Sequence, residues 1–145
     1  MIITEINGNL FDCKQSYYLV HCISGDYALG AGIAKQFVEH FNMRKKLHNQ
    51  YPIPNGAEYA NVGKALLIDN VFNLVTNARY WHKPTTKSIY DTLCEMRDYC
   101  VEHYIDKIAM PRICCGLDKR DWSEIKQIIT DDFTETGIEI AVYYQ

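Results

Sequence analysis

The stretch YYLVHCISGDYALGAGIAKQF, residues 17–37, decides the fold. Tyr17 to Ile23 is bulky, nearly all apolar and of strand length, the character of a strand buried on both faces. Ile33, Phe37 and Phe41, with Ala34 and Val38 alongside, then recur at the i, i+4, i+8 spacing of an amphipathic helix. Gly30 and Gly32 stand between the two. A buried strand that passes through a glycine loop into a helix is the building unit of a layered α/β protein.

The flanking sequence extends the pattern. Ile2 to Ile6 reads as a short strand, and Met43 to Tyr51 as a short basic helix that gives way to the turn residues of YPIPNG, residues 51–56. Lys64 to Asp69 and Val71 to Thr76 are β-rich runs that meet at Asp69 and Asn70, so an antiparallel hairpin is predicted. Ile89, Leu93, Met96, Cys100 and Tyr104 predict a long helix from about Thr86 to Tyr104 with these residues on its buried face. Lys107 to Ile113 reads as strand. Asp121 followed by Glu124 predicts a capping box opening a helix whose stripe is Trp122, Ile125, Ile128, Ile129 and Phe133. Gly137 stops it, and Ile138 to Tyr144 is the last strand. The expected fold is α/β, a three-layer αβα sandwich around a mixed, mostly parallel sheet, forming one domain over residues 1–145 with ligand sites at the loops beyond the strand ends.

The chain has 145 residues, 48% hydrophobic and 23% charged, which suits one folded domain and excludes wholesale disorder. Fifteen Lys and Arg against 18 Asp and Glu give a net charge of −3, which argues against direct nucleic-acid binding and against a polybasic membrane anchor. No apolar run approaches the roughly 18 residues of a membrane span. Six cysteines at irregular spacings are read as free thiols in a reducing cytoplasm.

Two glycine loops are the candidate sites. Gly30, Ala31, Gly32, Ile33 and Ala34 lie at the mouth of a helix, where backbone N–H groups favour a phosphate; the other reading is a plain turn into the helix. Lys35 stands where a dinucleotide fingerprint has Gly or Ala, and the GK[ST] of a P-loop is absent. The second loop is MPRICCGLD, residues 110–118, with Asp118 just before a helix. Two such loops suit the two sides of a diphosphate. Asp118 reads either as a catalytic carboxylate or as an anion near a helix N-terminus, and Arg112 as an ion-pair partner or a surface residue. Cys114 or Cys115 with His21 or His82 gives a third reading, a cysteine hydrolase. The five histidines show no metal-ligand spacing, so no metal and no cofactor is expected.

Four segments in order, NGNLFD, HCISGDYALGAGIAKQF, VTNARYWHKP and MPRICCGLDKRDW, resemble a macrodomain, of the branch that contains the terminal ADP-ribose protein glycohydrolase. They span most of the chain. The resemblance implies an αβα sandwich with an ADP-ribose cleft, in which Gly30 to Ala34 wrap one side of the diphosphate and Ile113, Cys114, Cys115, Gly116 and Leu117 the other. It implies that Ser24 lies near the distal ribose, that Asn9 and Leu10 meet the adenine, and that Tyr143 or Tyr144 stacks on it. Asn9 stands where the family has an aspartate; its carbonyl can still accept a hydrogen bond, without charge assistance. Asp118 matches the catalytic aspartate. Asn77 occupies the position of the glycohydrolase's lysine, and an amide cannot serve as an amine nucleophile.

The implied activity is hydrolysis of a substituent at the distal ribose, such as the ester of O-acetyl-ADP-ribose or of an ADP-ribosylated carboxylate. An ADP-ribose 1″-phosphate phosphatase and a non-catalytic reader are the alternatives. The implied partners are ADP-ribose, its conjugates and ADP-ribosylated protein, with no membrane.

Overall fold

The computed structural model describes residues 1–116 and 119–145. Among these the chain runs β1 (Ile2–Asn7), a 3-10 turn (Leu10–Asp12), β2 (Tyr18–Ser24), α1 (Gly32–Phe41), α2 (Met43–Gln50), β3 (Ala65–Ile68), β4 (Val71–Asn77), α3 (Thr86–Glu102), β5 (Lys107–Pro111), α4 (Trp122–Phe133) and β6 (Glu139–Tyr144). The strands form one sheet in the order β1-β6-β5-β2-β4-β3, parallel except for the hairpin of β3 and β4. Asp69 turns that hairpin with a left-handed φ of 52°, a conformation its short polar side chain tolerates.

Side chains alternate across the sheet, and each face has its own helices. Val20, Phe72, Leu74, Ile108 and Ile140 pack under Leu93 and Met96 of α3 and Ile125 and Phe133 of α4. Leu19, Ile23, Val71 and Val75 pack under Phe37 of α1 and Met43 and Leu47 of α2. The result is the three-layer αβα sandwich around a mixed, mostly parallel sheet.

The helix ends differ from the sequence reading in two places. The capping box is at Thr85 and Ser88, whose side chains exchange bonds with each other's backbone N–H. Asp121 caps α4 by accepting from the backbone N–H and hydroxyl of Ser123, while Glu124 turns outward to Arg120 at 2.6 Å. With a neighbouring guanidinium available, Glu124 gains a charge-assisted bond there in place of a neutral one at the cap. Tyr104 also leaves the predicted stripe. α3 ends at Glu102, and Tyr104 takes a left-handed φ of 58° with its side chain 93% exposed.

His21 of β2 is fully buried, its ring stacked on Phe37 at 3.9 Å and bonded through Nε2 to Asn73 Oδ1 at 2.5 Å. The Asn73 amide nitrogen donates to the Leu66 carbonyl, so its oxygen faces the ring and Nε2 carries the proton. Burial pushes the imidazole down to about 4 from an ordinary value of 6.5, against the opposing pull of Asn73. The unfolded chain therefore binds a proton that the folded chain refuses between those two values. Stability is fully present above pH 6.5 and falls as the pH drops towards 4, by roughly 3 kcal/mol from this residue. Urea unfolding at pH 7 and pH 4.5 checks this: His21→Leu is less stable at pH 7 but loses less on acidification than the natural chain, and equal losses would contradict the assignment.

Candidate functional site

β2 and β5 are paired only at Tyr18 with Ile108 and Leu19 with Ala109, after which they part. A cleft of about 730 Å³ opens beyond that point, at the C-terminal ends of β2, β4 and β5. Its lining includes Ser24, Asn77, Gly30, Ala31, Gly32, Ile33, Ala34, Ile113, Cys114 and Gly116, so both glycine loops of the sequence reading face one space.

The first loop is held from behind. Arg44 of α2 donates to the carbonyl of Ala28 at 2.7 and 3.0 Å and to that of Leu29 at 3.2 Å. A trans peptide carries its C=O and N–H on opposite sides, so the N–H groups of Leu29 and Gly30 turn away from Arg44. Tyr27, Leu29 and Gly32 all take left-handed φ, of 53°, 41° and 61°, which coils the loop tightly. α1 follows with Ala31 at its N-cap, a residue whose side chain has no group to bond the first-turn N–H groups, and among the described residues no side-chain cap bond is made there. A helix start left open in this way against a cleft is a ready anion site.

Asp26 ties the same loop to the opposite wall. One carboxylate oxygen accepts from the Ser24 hydroxyl at 2.5 Å and from the Ala28 N–H at 3.1 Å; the other accepts from the Tyr80 N–H at 3.0 Å. Asn77 reaches its position through a bulge: Ile23 pairs with Val75 but Ser24 with Asn77, so Thr76 is an extra residue. The bulge lets two successive side chains of one strand, Thr76 and Asn77, share the cleft. The Asn77 amide is fully engaged, accepting from the Thr76 hydroxyl at 2.9 Å and donating to the carbonyls of Arg79 and His82 at 2.8 and 3.2 Å.

Asn9, Leu10, Cys115, Tyr143 and Tyr144 lie outside this lining. Asn9 is exposed and uses its side-chain oxygen to accept from the Phe11 N–H, capping the 3-10 turn; Leu10 is buried in the core. Tyr143 packs on the α1 and α2 side of the sheet. Tyr144 carries the Arg112 guanidinium 4.3 Å above its ring, and Arg112 itself lines the cleft and pairs with Glu5. Arg112 thus joins the cleft to the strand end where Asn9 and Tyr144 sit. Leu117 and Asp118 lie outside the described residues.

The pairing of Cys114 or Cys115 with His21 fails on geometry. His21 lies in the α1 and α2 layer, whereas Cys114 and Cys115 lie in the other. Burial pushes the Cys115 thiol up to about 11, and it donates to the Ile113 carbonyl. Among the described residues there is no cluster of three or more His, Cys, Asp or Glu fit to hold a metal, and no helix long and apolar enough to cross a membrane.

Sequence reasoning missed Cys22, Ala28, Thr76 and Tyr80 in the lining and Arg44 and Asp26 behind it. Only Asp26, a turn-forming residue just before the glycine loop, left a local signal.

The whole chain resembles known proteins closely. No family model matches. The chain is 38% identical over 143 residues to the ADP-ribose glycohydrolase OARD1 of Bos taurus and 36% identical to that of Homo sapiens, covering 97% of this chain and 90% of each relative. The chain belongs to the macrodomain family, in its OARD1 branch. Its fold also superposes on the macrodomain of Thermus aquaticus DarG with a TM-score of 0.80, at 22% identity and over 99% of both chains.

Gly25 fixes how this macrodomain's cleft wall meets its neighbour. A Cβ at Gly25 would lie 1.9 Å from the Glu58 carbonyl oxygen and 3.2 Å from that of Ala78. Backbone cannot yield as a side-chain tip does, so Gly25→Ala is expected to destabilise the fold by about 2 kcal/mol or more. Thermal unfolding measures it, and an unchanged midpoint would show that the segment around Glu58 moves freely.

Proposed function

We propose that this macrodomain binds ADP-ribose in the cleft and hydrolyses a substituent on its distal ribose. The observation that carries the reading is the start of α1, without a side-chain cap among the described residues, facing a cleft between two glycine loops, in a chain whose relatives are named ADP-ribose glycohydrolases. The diphosphate rests on the N–H groups of Gly30 to Ala34 on one side and of Ile113, Cys114 and Gly116 on the other. These donors carry no net charge of their own, so they bind a dianion by direction and by the helix dipole. The distal ribose then lies towards Ser24 and Asn77, and the adenine towards Asn9, Leu10 and the end of β6, with Arg112 between.

The substrates we assign are the ester of O-acetyl-ADP-ribose and ADP-ribosylated carboxylates. Asp118 positions and deprotonates a water; the water oxygen forms the new bond, the ester C–O bond breaks, and ADP-ribose and the free acid leave. Asn77 has no part in nucleophilic attack. Its amide holds the turn from Arg79 to His82, which forms the rim beside the distal ribose. That same engagement favours the second reading, a reader that binds ADP-ribose without turnover.

Calorimetry separates binding from its absence. ADP-ribose binds without added metal, and Gly32→Glu abolishes binding by setting a carboxylate against the diphosphate. No heat from the natural chain across a range of salt would sink the ligand assignment.

Turnover separates hydrolase from reader. Asp118→Ala lowers hydrolysis of O-acetyl-ADP-ribose by about 100-fold or more while ADP-ribose affinity changes little, since the loss is in proton transfer. A natural chain without turnover on either ester is a reader. Asn77→Lys raises activity on glutamate-linked ADP-ribose more than on O-acetyl-ADP-ribose, because a lysine amine there can attack the anomeric carbon. Borohydride trapping reads this directly: an adduct on the introduced lysine of the Asn77→Lys variant is expected, whereas an adduct on Lys119 of the natural chain would relocate the nucleophile.

A further inference from the structure

Cys22 and Cys114 meet on the floor of the cleft. Cys22 is on β2 and Cys114 in the loop after β5, and their sulfurs are 3.0 Å apart. They stand just past the point where pairing between β2 and β5 ends, and both line the cleft. Cys114 is held there in a left-handed conformation, φ 64°, that a residue with a Cβ seldom takes. Neighbouring Cys115 is turned to the Ile113 carbonyl instead. Two thiols, one on a strand and one in a loop, in sulfur-to-sulfur contact are thus set where the two phosphate-facing loops diverge.

We propose that Cys22 and Cys114 form a reversible disulfide that closes the cleft. Hydrogen peroxide supplies the oxidant. One cysteine sulfur attacks the peroxide oxygen, the O–O bond breaks, and a sulfenic acid and water result. The second sulfur then attacks the first; the S–S bond forms, the S–O bond breaks, and the oxygen leaves as a second water. Two electrons pass from the thiols to the peroxide, and a dithiol reverses the reaction by exchange. A disulfide needs sulfurs about 2.05 Å apart, so bonding draws them about 1 Å closer than they stand. That pull acts between β2, which leads into the first loop, and the segment of Ile113 and Gly116, which forms the second wall. The gap that admits the diphosphate narrows, and the loop after β5 is pinned.

The ligand readout rests on the ADP-ribose reading above; the disulfide itself does not. The full chain is treated with hydrogen peroxide, its remaining thiols are alkylated, and the digest is mapped by fragmentation. Two of the six thiols are lost to a Cys22–Cys114 link. Calorimetry then finds ADP-ribose about tenfold weaker or more, and dithiothreitol restores it. Cys22→Ser and Cys114→Ser each respond to peroxide with no change from their own untreated affinity. A link between any other pair, or no link, overturns the site. A mapped Cys22–Cys114 link with affinity unchanged or tighter overturns the closure. Untreated protein that gives no heat with ADP-ribose overturns the ligand reading and the closure together, and the peptide map alone then decides the disulfide.

Discussion

The parting of β2 from β5 is the constraint on which the rest of this molecule depends. These two strands are neighbours at the centre of the sheet, yet the chain leaves them for opposite layers. β2 leads to α1 on one face, and β5 leads to α4 on the other. Their outgoing backbones cannot stay hydrogen-bonded while diverging, so pairing stops after Leu19 and Ala109. The space left between them is the crevice expected at a topological switch point in an open α/β sheet. Its walls are the two outgoing loops, which is why both loops are rich in small residues and expose backbone to the space.

A cleft made of backbone must be held rigid from outside, because main-chain donors have no rotamers with which to adjust. Here the supports come from elements distant in sequence. Arg44 takes the carbonyls of Ala28 and Leu29, and Asp26 links the Ser24 hydroxyl to the Tyr80 N–H. Gly25 admits the Glu58 carbonyl where any Cβ would clash. The left-handed conformations of Tyr27 and Leu29 are unfavourable for residues with side chains. Buried packing stabilises them: Tyr27 is 1% exposed and donates its hydroxyl to the Tyr51 carbonyl.

The sheet and its helices were legible because their signals are periodic and local. The run from Tyr17 to Ile23, the stripe of Ile33, Phe37 and Phe41, and the turn at Asp69 and Asn70 each carry their own period or turn chemistry. Where competing partners are close in space, local reading loses. Glu124 at the start of α4 fits a capping box until Arg120 offers it a charged partner. Tyr104 fits the helical stripe until α3 ends before it. The site was legible in the glycines, which the chain needs for close approach and helix entry. It was not legible in Arg44, Cys22 or Thr76, whose roles arise from contacts across the fold or, for Thr76, from a one-residue bulge that no residue type announces.

Asn77 shows what an amide does in the cleft that an amine at the same place would not. An amine at this position must be free to approach carbon, so its charge and its hydrogen bonds must be given up at the moment of attack. An amide has the opposite use. It offers two donors and an acceptor in a fixed plane, and here all three are spent on Thr76, Arg79 and His82. Asn77 is thereby a brace for the rim beside it. Tyr80 and Trp81 project from that rim, 69% and 60% exposed, with Arg79 over the Trp81 ring. The brace therefore sets the orientation of these exposed groups at the mouth of the cleft. Catalysis through a lysine needs that side chain mobile, whereas recognition of the attached group needs this turn rigid, and a single side chain cannot meet both demands.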